Sequence, residues 1–244
     1  MESVVTTTQQ TQCQQIVTFE HALNEPIRIC LKIEALYKEL NFHSETEIDN
    51  SLSALCALLK LINVADRPDI KSKITQMMMQ YASALNQLKR YPQVDQERLM
   101  TVISQLDNLN RCLHDDQEKI AAQLKANEFL NQLRLKIAHP GGICPHSSSA
   151  LKLWLALPNS QKQTDIADWS SHLKQLHTCA ELLLSLARES SIEEECCANK
   201  GFFQKNLNPT LPCDLLHINL LSSTGVYPEF SAGRHRLSLR FLEP

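Results

Sequence analysis

Glycine is scarce in this chain, with 5 residues in 244, roughly 2% where globular proteins average about 7%. Folds that cradle phosphate groups need glycine to bring backbone N–H groups close to the ligand. The one adjacent pair, Gly141-Gly142, follows Ala138-His139-Pro140. It reads as a turn, without the Lys-Ser/Thr of a phosphate-binding loop, so a nucleotide-binding enzyme is not expected. Long apolar runs are missing as well. The greasiest stretch, around residues 182–187, is far below the roughly 18 residues that span a bilayer. Residues 1–15 have neither the basic start nor the apolar centre of a secretory signal. An excess of charge is also lacking: the formal net charge of -3 gives no global attraction to nucleic acid or to an anionic membrane. Neither nucleic acid nor membrane insertion is expected, and electrostatic recognition must come from a local patch.

What is present suits a soluble, intracellular, mostly helical protein. With 43% hydrophobic residues, a chain of this length buries enough surface to need no disulfide or metal staple. The 9 cysteines are odd in number, and Cys30, Cys56, Cys112 and Cys179 fall inside expected helices. That pattern fits reduced thiols filling a cytoplasmic core, not a disulfide framework.

Residues 1–15 are rich in Thr and Gln and predict a disordered tail. Residues 16–21 alternate apolar and polar, which suits a short strand. From Asn24 the period turns helical, with Ile27, Leu31, Ile33, Leu36 and Leu40. Ser44-x-x-Glu47 has the spacing of a capping box and predicts the start of a second helix, with Ile48, Leu52, Leu55, Leu59 and Ile62 as a heptad seam. A third helix follows Asp66-Arg67-Pro68 and ends at Tyr91-Pro92, and a fourth starts near Asp95. Short connections make helices two to four antiparallel neighbours in an elongated, coiled-coil-like bundle. Further helices are expected over residues 117–138, around Trp154, and over residues 160–190. Residues 200–212 read as irregular. Leu215–Leu221 and residues 234–241 then alternate with period two, as antiparallel strands that the segment 16–21 can join. The expected fold is α+β and predominantly α: a helical domain over 24–195, and a small antiparallel β-domain built from 16–23 and 200–244.

Candidate chemistry is thin. Cys112-x-His114 on a helix points its side chains about 200° apart and cannot chelate. Cys144-x-His146 lies in a loop without further ligands at a convincing spacing. His177 and Glu181, at i and i+4, fit an exposed helix pair better than an acid/base couple. Cys196-Cys197 sit beside Glu193, Glu194 and Glu195, whose charge raises a thiol pKa. No catalytic residue, cofactor or metal is expected.

The last strand carries the strongest local signal. Arg234, Arg236, Ser238 and Arg240 share one face, and His235, Leu237, Leu239 and Phe241 share the other. No carboxylate interrupts the arginines along that strand, and the arginine fork suits carboxylates.

Several segments in order carry a resemblance: Phe19-Glu20-His21-Ala22-Leu23-Asn24-Glu25 with Arg28 and Lys32, then Val94-Asp95-Gln96-Glu97-Arg98 and the Pro140-Gly141-Gly142 turn. They continue with Leu153-Trp154-Leu155-x-Leu157-Pro158, Asp168-Trp169, Gly201-Phe202-Phe203-Gln204, Val226-Tyr227-Pro228 and Arg236-x-x-x-Arg240-Phe241. Over residues 17–242 the chain resembles the ZapD family of bacterial cell-division proteins that bind FtsZ. The resemblance implies a symmetric homodimer, cytoplasmic and at the midcell division ring, that grips the FtsZ C-terminal tail in a basic pocket and so crosslinks and bundles filaments. It maps tail binding onto Arg236, Arg240, Arg28 and Lys32, with Arg134 and Lys152 at further basic positions. The competing reading is a helical adaptor that takes another acidic peptide through its basic C-terminal strand.

Overall fold

The computed structural model describes residues 15–45, 50–115, 120–137, 141–207, 213–233 and 236–244. It is α+β and predominantly helical, and the chain divides into two compact units, Asn24–Ser190 and the terminal segments up to Leu23 with Ser191–Pro244. Of the expected tail, residues 1–15, all but Gln15 lie outside the described residues, as do Arg234 and His235.

The helical unit opens with α1 (Glu25–Glu45), whose first turn is capped by Asn24: its Oδ1 accepts the Ile27 N–H at 2.9 Å. Nothing between Leu40 and Glu45 breaks a helix, and α1 runs on through Ser44. The expected capping box therefore does not open the second helix; Glu47 lies outside the described residues, and α2 (Ser51–Ala65) begins behind Asn50. α2 is buried over most of its circumference, from Ala54 and Leu55 to Val64 and Ala65, and among its residues only Lys60 is exposed, as expected of a helix that is apolar on nearly all sides. Its close neighbours are α1, α6 (Glu128–Lys136) and α8 (Asn159–Ser171), so its apolar residues do not act as a single seam. The antiparallel pair that does form is α3 (Ile70–Leu88) with α4 (Gln96–Asp115).

Two expected long helices are broken. α5 (Ala122–Ala126) is separated from α6 at Asn127, whose extended backbone (φ -71°, ψ 111°) lets its Oδ1 accept the Leu130 N–H at 3.1 Å. Asparagine competes for local backbone groups in this way and caps better than it continues a helix. Likewise α8 stops at Ser171 and α9 (Lys174–Glu189) starts anew. There the Ser170 carbonyl accepts the Leu173 N–H at 3.0 Å and the Tyr37 hydroxyl at 3.3 Å, while the Ser171 hydroxyl bonds back to the Asp168 carbonyl. α7 (Ser149–Leu155) is capped by Ser148. The buried Lys162 ammonium donates to the Leu155 carbonyl at its C-terminal end, where cations are favoured. Phe129, Trp154 and Trp169 cluster with ring centroids 5.8–6.0 Å apart, joining α6, α7 and α8.

The β unit holds two sheets. β1 (Ile16–Ala22) pairs antiparallel with β3 (Leu215–Leu221), placing Phe19 opposite Ile218 and Glu20 opposite His217. A three-stranded sheet has the order β2-β5-β4, from β2 (Phe202–Asn206), β5 (Arg236–Leu242) and β4 (Tyr227–Ala232). The expected direct pairing of β3 with β5 is absent. Two strands unread in the sequence flank β5 instead, β2 in the stretch 200–212 taken as irregular and β4 between the two expected strands. The two sheets touch where the His21 ring stacks on Phe230, with centroids 4.8 Å apart and planes 7° apart. β2 is set up by a tight reversal: Lys200 (φ 53°) and Gly201 (φ 73°) are both left-handed and the Phe202 N–H donates to the Asn199 carbonyl at 3.1 Å. That is the signature of a two-residue hairpin turn. A side chain at Gly201 would also press on the Phe241 carbonyl, 3.2 Å from its Cβ position.

α1 and α9 are clamped by a fork: Arg188 Nη1 and Nη2 donate to the two Glu34 oxygens at 2.8 and 2.9 Å. Hydrogen bonding to Arg188, aided by Lys38, lowers the Glu34 pKa from its ordinary 4.5 to about 2. A carboxylate whose folded pKa is depressed contributes stability above its unfolded pKa, and that stability is lost as pH falls through the folded value. In urea unfolding the protein should therefore weaken as pH drops from 4.5 towards 2. Glu34→Gln should be less stable at neutral pH and show a shallower acid loss in the same window.

A basic sheet face as the candidate binding site

Strand alternation and cross-strand register decide what surrounds the two arginines of β5. Arg236, Ser238, Arg240 and Leu242 project to one face, while Leu237 and Leu239 are buried on the other. Register then adds the neighbours in rows across the sheet. Arg236 has Asn206 on β2 at its side, Ser238 lies between Gln204 and Ser231, and Arg240 lies between Phe202 and Glu229. Leu242 faces Tyr227. Both arginines are exposed, and they stand about 13 Å apart along the strand at the usual rise. Phe202 and Tyr227, 46% and 40% exposed, give the Arg240 end an aromatic border.

Three of these residues were not among the expected site residues. Phe202 and Tyr227 belong to the two unread strands. Glu229 adds a carboxylate from the neighbouring strand β4, where it lies directly opposite Arg240. Among the described residues no ion pair joins the two, although residues so placed have Cβ atoms about 5 Å apart.

The other basic positions lie on the helical unit. Arg28 and Lys32 sit one turn apart on the exposed side of α1. Arg28 Nη1 bonds Glu25 at 2.6 Å, and Glu25 is also held by Arg67 at 3.1 Å. These two guanidiniums hold the Glu25 carboxyl below its usual pKa. Lys152 is exposed on α7. Arg134 differs from the rest: its side chain is only 14% exposed, and its Nη1 bonds Asp66 at 3.2 Å and Asn63 at 3.3 Å. Lys125 also bonds Asp66, at 2.7 Å. Arg134 and Lys125 thereby tie α6 and α5 to the end of α2.

The profile of the ZapD family, described as a cell division protein, matches residues 31–240. The chain is 40% identical over 227 residues to the cell division protein ZapD of Coxiella burnetii (strain RSA 331 / Henzerling II), covering 93% of this chain and 88% of that protein. It is 30% identical over 227 residues to ZapD of Pectobacterium carotovorum subsp. carotovorum (strain PC1), covering 93% and 89%. It is also 30% identical over 231 residues to ZapD of Ralstonia pickettii (strain 12J), covering 93% and 91%. This chain belongs to the ZapD family. The range matched to the ZapD profile takes in both units and includes Lys32, Arg236 and Arg240, whereas Arg28 lies just before it. Its role is therefore in cell division, and no helix among the described residues is long and apolar enough to cross a membrane.

The remaining polar and thiol groups take structural places. His177 stacks on Tyr37 with ring centroids 3.8 Å apart, and its Nδ1 lies 3.5 Å from Glu181. Burial lowers the His177 pKa, against the pull of Glu181. Cys144 is half-buried and His146 exposed beside a short 3-10 turn. Among the described residues no three His, Cys, Asp or Glu side chains are grouped to hold a metal ion. Cys30 and Cys179 are buried, and desolvation pushes both thiols up to about 12, far from the thiolate that nucleophilic chemistry needs. Cys112, expected in the core, is exposed on α4, and Cys56 is half-buried. Brief alkylation of the native protein at neutral pH, read by peptide mass spectrometry, should modify Cys112, Cys196, Cys197 and Cys213. Cys30 and Cys179 should react only after denaturation.

Proposed function

We propose that this chain binds the C-terminal tail of FtsZ through the outer face of its three-stranded sheet and, as a homodimer, crosslinks and bundles FtsZ filaments at the division ring. The observation that supports this reading is the grouping of exposed Arg236 and Arg240 with exposed Phe202 and Tyr227 on one face. Guanidinium forks pair with carboxylates and aromatic rings cover apolar side chains, a combination suited to an acidic-apolar peptide. Membership of a cell-division family sets the process in which such a peptide is met. Arg28, Lys32 and Lys152 supply further exposed positive charge, whereas Arg134 ties α6 to the end of α2. The task is mechanical: two tail sites on one dimer tie two filaments together by raising the effective concentration of the second contact. It uses no catalytic residue, cofactor or metal, and it takes place in the cytoplasm at midcell.

Cosedimentation with FtsZ polymers tests the reading. Full-length FtsZ should carry the protein into the pellet, and FtsZ without its C-terminal tail should not. Arg236→Glu combined with Arg240→Glu should weaken binding at least about tenfold, because attraction becomes like-charge repulsion, while circular dichroism stays unchanged. Wild-type binding should also weaken as salt rises. Lys174→Glu, on the exposed side of α9, is the control and should have little effect. Equal pelleting with tailless FtsZ would move the contact to another part of FtsZ, and pelleting with neither form would favour another acidic peptide on the same strand.

Bundling needs two sites in one particle. Sedimentation velocity should give the mass of a dimer at micromolar concentration, with two-fold symmetry the simplest closed arrangement. A strictly monomeric protein that still bundles filaments would refute the dimer.

A further inference from the structure

The outer face of the three-stranded sheet carries both signs of charge, in a fixed order. At one end Arg236 stands beside the neutral Asn206, and the Gly233 N–H donates to the Arg236 carbonyl at 2.9 Å, so no side chain projects beside Arg236 from β4. In the middle are only small or amide side chains, Gln204, Ser238 and Ser231. At the other end Arg240 has Glu229 on one side and Phe202 on the other, and Leu242 with Tyr227 follows. Glu229 and Arg240 are both exposed, and no ion pair closes them on each other. Each charge is thus available to a ligand in a different row or on a different side of the same row.

We propose that Glu229 is a specificity-determining residue that gives this face a direction. It selects an extended peptide whose acidic side chain lies over Arg236 and whose other end carries an apolar side chain next to a basic one. The apolar side chain covers Phe202, Leu242 and Tyr227, and the basic side chain pairs with Glu229. The inference rests on the reading that this face binds a peptide, and it adds which peptide. A uniformly acidic segment is attracted by Arg236 and Arg240 but places a carboxylate beside Glu229, where like charges repel. Position, more than total charge, then separates one acidic sequence from another. The same arrangement fixes which way the peptide runs along β5, since reversing it brings acid to Glu229 and base to Arg236.

Fluorescence anisotropy with the full chain and two synthetic peptides reads this directly. Both peptides carry the same acidic residue and the same apolar pair; near the apolar pair one has arginine and the other glutamate. Wild type should prefer the arginine peptide by about fivefold, the scale of an exposed charge pair made in place of a repulsion. Glu229→Gln should bring the two affinities close together, and Glu229→Lys should reverse the preference. Thermal melts of each variant guard against a folding effect. A preference that stays within twofold of wild type in Glu229→Lys, with both peptides still bound, overturns the role of Glu229. Failure of the underlying reading has a different outcome: the Arg236→Glu, Arg240→Glu variant would then bind both peptides as wild type does.

Discussion

The helical unit is organised around α2, a helix that shows water little besides Lys60. With apolar residues around most of α2, each large aliphatic residue left exposed would forfeit about 1.5–3 kcal/mol. α1, α6 and α8 all pack against it, and Ile33, Leu40, Leu130, Leu133 and Ile166 on these helices are buried. The far end of α2 adds a second requirement. Asp66 sits at the C-cap, where a carboxylate opposes the helix dipole, and Lys125 and Arg134 neutralise it. An arginine that reads as a binding cation in the sequence is drawn inside by this need.

The helical part of the fold was largely legible because period and capping are local. The Asn24 cap, the α3–α4 pair and the Ser148-capped helix of Trp154 follow from residues within one or two turns. The breaks at Asn127 and after Ser171 were not, since an asparagine or serine inside an apolar period can either continue a helix or cap it. Tertiary contact settles the second case, with Tyr37 taking the Ser170 carbonyl. The β part was half legible. β1, β3 and β5 alternate cleanly, whereas β4 contains Pro228 and β2 reads Phe-Phe-Gln-Lys-Asn, which no two-residue period marks. Asn199-Lys200-Gly201 held the turn signal that announces β2.

The candidate site divides along the same line. Arg236 and Arg240 are visible because one strand displays its own alternation. Phe202, Tyr227 and Glu229 come from strands that meet β5 at a register no short pattern gives, and with them a uniformly basic stripe becomes a surface of mixed character. A chain with a formal charge of -3 can still hold an anionic segment, because recognition occurs over distances no longer than a Debye length, about 8 Å at physiological salt.

The rims of the three-stranded sheet bear on how the molecule keeps to itself. Unpaired strand edges invite other chains to add to them. On one rim, β4 carries Pro228, which offers no N–H for a further strand. On the other, the chain before the Lys200-Gly201 reversal turns back from β2, bridging Asn199 to Phe202 and tying Glu194 to Lys205. A neighbour's strand meets an imino ring on one rim and the Glu194–Lys205 pair on the other. Crowded together at high local concentration, copies of this protein can leave the broad face of the sheet uncovered for a partner without knitting into a continuous ribbon.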